Sequence, residues 1–95
     1  MRYGEYKKIP NRLREKRLAS GFRQQYVARV LGLKSTSKLS RWENGICLPN
    51  LVNAFKLSGL YGALVDQLFQ DLRGAIKREI MVKVERLAEE KNPQP

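Results

Sequence analysis

The chain has 95 residues, 42% of them hydrophobic and 29% charged, which allows one small domain with a modest core. Its 19 Lys and Arg outnumber 9 Asp and Glu, and the resulting charge of +10 favours an anionic partner, either nucleic acid or an acidic membrane face. There is no His and a single Cys, Cys47, which excludes zinc fingers, Cys/His catalysis and a disulfide framework. No metal, cofactor or enzymatic activity is expected.

No apolar run reaches the roughly 18–20 residues of a membrane span, and the stretch from Met1 to Lys8 lacks the apolar region of a secretory signal. One lone cysteine fits a reducing cytosol. A cytoplasmic location without membrane attachment is therefore expected. The charge is also polarised along the chain. Residues 1–21 carry seven basic and two acidic groups and residues 22–50 five and one, so these two segments hold +9 of the +10. A solvated face gives no reason for such confinement, so one half of the chain is expected to meet the anion.

Taken in order, residues 1–8 lack apolar periodicity and read as a flexible basic arm with Arg2, Lys7 and Lys8. Pro10 and Asn11 suit a helix start, predicting a first helix over about 10–19 with Ile9, Leu13 and Leu18 inward. Gly21 stands where a left-handed terminator belongs. Arg23 to Leu31 places Val27, Ala28 and Leu31 at helical spacing, and Gly32 ends that helix.

Ser35 or Thr36 can cap a third helix running to Asn44, with Leu39 and Trp42 on one face and Lys38 and Arg41 on another. Asn44 and Gly45 both tolerate positive φ and stop it. A fourth helix over 49–60 offers Leu51, Ala54, Phe55 and Leu57 to the core. A fifth, from Leu64 to Asp71, buries Val65, Leu68 and Phe69. Gly74 costs a helix about 1 kcal/mol relative to alanine, so a break is expected there. Residues 75–91 form a last amphipathic helix, and 92–95 a tail. The fold class is all-α.

The stretch from Gly21 to Pro49 carries the most information. Gln24 opens the second helix, Val27-Ala28 and Leu31-Gly32 form its inward face and exit, and Leu39-Ser40-Arg41-Trp42-Glu43-Asn44-Gly45 closes the third, followed by Pro49 and Leu51. This pattern resembles the Cro/lambda-repressor-type helix-turn-helix family, from about Ile9 to Phe69. The resemblance implies a five-helix DNA-binding domain (9–71) followed by a C-terminal helix (72–91). It also implies double-stranded DNA as the partner and a nucleoid-associated regulator of transcription, with repression as the expected sign.

Two positions depart from the family. The turn between the second and third helices is one residue longer than the commonest pattern, and Arg23 replaces the usual capping Thr or Ser. Arginine cannot accept a bond from free amides, so it is read as a phosphate contact.

Within this frame Arg41, outward on the third helix, is the candidate for a bidentate guanine contact; a merely solvated arginine is the alternative. Thr36, Ser37 and Lys38 compete for the remaining base edges. Gln24 is read as a phosphate contact at a helix start. Lys34, Lys38 and Asn44 are phosphate or base-edge candidates, with Arg12 and Arg14 weaker ones. Trp42 reads as core, and Cys47 as inert. Arg17 and Glu43 match the family's charge pair between the first and third helices.

Leu72, Ile76, Ile80, Val84 and Leu87 fall within a stripe of about 120° at 100° per residue. Either the stripe packs on its own domain or it forms a dimer seam. Five helices already close the family domain, so a homodimer on a palindromic operator is expected. Two rivals remain open: an antitoxin whose last helix grips a toxin, and an adaptor that binds another protein through that helix.

Overall fold

A computed structural model describes residues 8–90. Six helices run through them: α1 (Leu13–Ala19), α2 (Gln24–Leu31), α3 (Ser37–Glu43), α4 (Leu51–Tyr61), α5 (Val65–Leu68) and α6 (Gln70–Ala88). No strand occurs among the described residues. All of the expected arm except Lys8 lies outside the described residues, as does the expected tail.

The first helix starts three residues later than Pro10, and Asn11 explains why. Its Oδ1 accepts the Leu13 amide at 3.0 Å, while its Nδ2 donates to the carbonyls of Ile9 and Trp42, each at 3.0 Å. Asparagine thus serves the free amides of a helix start and ties α1 to the end of α3. The Ile9 amide adds a 2.8 Å bond to the Gly45 carbonyl. That approach requires glycine: at φ +72°, a Cβ on Gly45 would stand 2.6 Å from the Ile9 carbonyl oxygen. Asn44, by contrast, keeps a negative φ of −82°.

The core gathers Leu13, Val27, Leu31, Leu39, Trp42, Leu57, Ala63 and Leu68, with Phe22, Leu33, Leu60, Tyr61 and Phe69 packed around it. Three expected core residues are corrected. Leu18, Leu51 and Phe55 are 56%, 69% and 60% exposed. Helical phase accounts for the last two. Ala54 and Leu57 set the buried side of α4; at 100° per residue Phe55 falls about 130° from its centre, and Leu51, the first residue of the helix, lies about 90° round on its flank. Val65 and Phe69 are half-buried rather than buried.

The break expected at Gly74 is also corrected. The chain bends at Phe69 (φ −127°, ψ 33°), and α6 then passes through Gly74 without interruption. The helix starts before the glycine because Leu72 is anchored in the core, so the residues preceding Gly74 are already helical. Arg12 pairs with Asp71 at 3.3 Å, and its amide donates to the Leu68 carbonyl at 2.8 Å, fixing the base of α6 to α1. Beyond that base the helix projects, and the molecule measures 55 × 25 × 21 Å.

Candidate nucleic-acid interface

The candidate interface is built on α2 and α3. Gly32 ends α2 at φ +78°, and the Leu33 amide returns to the Ala28 carbonyl at 2.8 Å. The longer turn, 32–36, is absorbed locally: Ser35 Oγ accepts the Ser37 amide at 3.2 Å. Ser35 therefore does the work of a cap, whereas Thr36 sits at the cap position without a side-chain bond.

Leu39 and Trp42 pin α3 to the core. On a helix of 3.6 residues per turn the opposite side carries Ser37, Arg41 and Asn44, with Lys38 flanking, and all four are exposed. Asn44 Nδ2 donates to Ser40 Oγ at 3.3 Å. Lys34 is exposed on the turn and Thr36 half-buried beside it. Ser37, Arg41 and Asn44 thus share the outer side of α3 with Lys38 flanking, and Lys34 and Thr36 lie on the turn that leads into it.

A buried cluster stands behind that surface. Arg17 Nε donates to Glu43 Oε2 at 2.6 Å, and an Arg17 terminal nitrogen donates to Oε1 at 3.1 Å. The other terminal nitrogen donates to the Phe22 carbonyl at 3.0 Å. Gln24 Nε2 completes the set with a 3.0 Å bond to Glu43 Oε1. The side chains of Arg17 and Glu43 are 10% and 3% exposed. The hydrogen bond to Glu43 raises the arginine pKa above its ordinary value, against the desolvation that would lower it. Gln24 is thus turned toward Glu43, and its amide holds the start of α2 to the end of α3.

The electrostatic consequence is simple. Glu43 is the one acidic residue between positions 22 and 50, and its charge is met by Arg17 inside the fold. The surrounding surface keeps its cations unopposed in that segment. An open cleft there is lined by Arg14, Arg17, Arg23, Gln24, Ser40, Glu43 and Asn44. Arg23 enters it from an extended backbone (φ −84°, ψ 154°) and makes no cap bond. Arg14, a weaker phosphate candidate from sequence, is among its lining residues, and Ser40, which the sequence reading did not single out as a contact, joins it. Arg12 does not join them, because it is paired with Asp71.

The helix-turn-helix family model matches residues 13–68, α1 through α5, and the chain belongs to this Cro/C1-type family of DNA-binding regulators. The fold is accordingly lambda-repressor-like, all-α, with an added C-terminal helix. Comparison with curated proteins and with solved structures gave no match. No helix among the described residues is long and apolar enough to cross a membrane.

The buried cluster yields two predictions. Arg17→Met or Glu43→Leu alone leaves the other charge desolvated and should cost ~3–5 kcal/mol in chemical denaturation, while the double replacement should recover part of the loss. The second concerns Tyr61, whose buried hydroxyl has no hydrogen-bond partner among the described residues. Burial, reinforced by Glu43, pushes its phenol up to about 12. The folded state therefore holds this proton more tightly than the unfolded chain. The corresponding stability is complete below the ordinary phenol value near 10 and is lost as pH rises through about 12. Tyr61→Phe should be at least as stable as the parent at neutral pH and should lose less stability on titration across that window.

Proposed function

We propose that the chain is a sequence-specific regulator that represses transcription by occupying a palindromic operator as a homodimer. The observation that carries DNA reading by α3 is its two-sided construction. Leu39 and Trp42 hold one side in the core, and Ser37, Lys38, Arg41 and Asn44 are exposed on the other. A helix so held can enter the major groove and offer short polar and basic side chains to base edges. Arg41 has the length and the planar donor fork for guanine. Lys34, Arg23 and the start of α2 at Gln24 serve the phosphates, and the base contacts of Thr36, Ser37 and Lys38 refine the choice.

The dimer rests on α6. Leu72 is buried at its base, but Ile76, Ile80, Val84 and Leu87 are exposed along one stripe of the projecting helix. A helix of this length is marginal alone in water, and a second copy of the stripe gives it cover. Two recognition helices would then enter successive major grooves about 34 Å apart, and occupancy of such a site excludes competing proteins. Such a protein would act on the nucleoid.

Selection of bound sequences from random duplex DNA should return a two-fold symmetric site. Arg41→Ala should relax the preference at one position per half-site, costing ~1–3 kcal/mol per lost base contact. Equal losses on selected and random DNA would remove Arg41 from base reading. Ile80→Asp should halve the sedimenting mass, retain a largely helical circular dichroism spectrum and weaken operator binding by about 100-fold or more. Unchanged mass with full helicity would instead assign the stripe to a different protein partner, as an antitoxin or adaptor requires.

A further inference from the structure

A second surface lies on the solvent-facing side of α2. Gly21, Phe22, Arg23, Gln25, Tyr26, Arg29 and Val30 line a shallow, open depression of about 820 Å³. The rings of Phe22 and Tyr26 stand 5.0 Å apart at 35° and form its floor. Tyr26 and Val30 are each 51% exposed, which is high for large apolar side chains in successive turns of one helix. At 100° per residue they lie about 160–200° around α2 from Ala28, which looks onto the α2–α3 turn. The apolar centre of the depression therefore lies on the solvent side of α2, opposite its core contacts. DNA reading does not account for its apolar floor.

Charge decides what fits. Arg23 and Arg29 stand at the rim and no carboxylate lines the depression. Neither arginine makes an ion pair with a described residue. Aromatic and aliphatic side chains framed by guanidinium groups match a segment that carries apolar residues on one face and carboxylates beside them. The site is open and laid along a single helix, a shape suited to a helix resting on the surface and unsuited to an enclosed small molecule. We propose that this face of α2 docks an acidic amphipathic helix of a partner protein. The proposal shares Arg23 with the operator reading and is otherwise carried by Phe22, Tyr26, Arg29 and Val30, to which that reading gives no role.

The test uses the full chain and three synthetic 16-residue peptides: an amphipathic helix of leucines and glutamates, a scrambled peptide of the same composition, and the amphipathic helix with lysines replacing glutamates. Nuclear magnetic resonance titration should show saturable shifts concentrated in Gly21–Val30 for the first peptide alone. Tyr26→Ser and Arg29→Glu should each weaken that binding about tenfold or more, with unchanged helicity by circular dichroism. Tyr26→Ser should leave affinity for random duplex DNA within twofold. Equal binding of the scrambled peptide, or shifts centred on α6 or α4, would overturn the proposal. So would loss of duplex affinity in Tyr26→Ser, which would make the face part of the DNA surface. A change in sedimenting mass on the same substitution would assign it to a second copy of the chain instead.

Discussion

The arrangement of α1, α2 and α3 depends on one buried ion pair. Arg17 and Glu43 come from helices 26 positions apart in sequence, yet their side chains meet through two hydrogen bonds. Taking two charges out of water is costly, and the geometry offsets that cost by satisfying them thoroughly. Phe22 supplies a carbonyl to the guanidinium and Gln24 an amide to the carboxylate. Each supporting bond comes from the α1–α2 turn or the start of α2. A shift of any of the three helices would strand a charge, so the pair specifies their register more than it adds net stability.

The same pair shapes the electrostatics of the surface. Burying Glu43 withdraws the one carboxylate of residues 22–50 from the field that an approaching anion meets. Arg23, Lys34, Lys38 and Arg41 are left exposed around α2 and α3. Asn11 acts as a second brace of a different kind. It uses neutral hydrogen bonds to fasten the entry of α1 to the last turn of α3, at the Trp42 carbonyl. One end of α3 is thereby tied from two directions, by charge through Glu43 and by amide through Asn11.

Apolar surface is distributed unevenly around this braced centre. The core is built from Leu13, Val27, Leu31, Leu39, Trp42, Leu57 and Leu68, and it suffices to close α1 through α5. Apolar residues beyond that core remain in water on α2, α4 and α6: Tyr26 and Val30, Leu51 and Phe55, and Ile76 through Leu87. On α6 the change is abrupt, from buried Leu72 to exposed Ile76 one turn later. The helix is rooted in the domain by Leu72 and the Arg12–Asp71 contact, and everything past that root is presented outward.

Much of this was legible in the sequence by itself. Net charge and its confinement to the first half, helical spacing at Val27-Ala28-Leu31 and Leu39-Trp42, and the glycines at 21, 32 and 45 are local properties of adjacent residues. They determined an all-α chain, because periodicity and turn chemistry act over a few positions, and the helix-turn-helix was read from the resemblance of the stretch from Gly21 to Pro49 to a known family. Other features were decided by tertiary structure. Leu51 and Phe55 have the same apolar character as Leu57, and only the direction in which α4 meets the core separates them. Asn11 reads as a helix start from sequence, but its bond to Trp42 spans 31 positions. Gly74 reads as a breaker, yet the bend falls at Phe69, where burial of Leu72 and Leu68 demands it. Gln24 reads as a phosphate contact at a helix start, and the fold turns its side-chain amide onto Glu43. In each case a side chain's partner is set by distant packing, and no window of sequence holds both members of the contact.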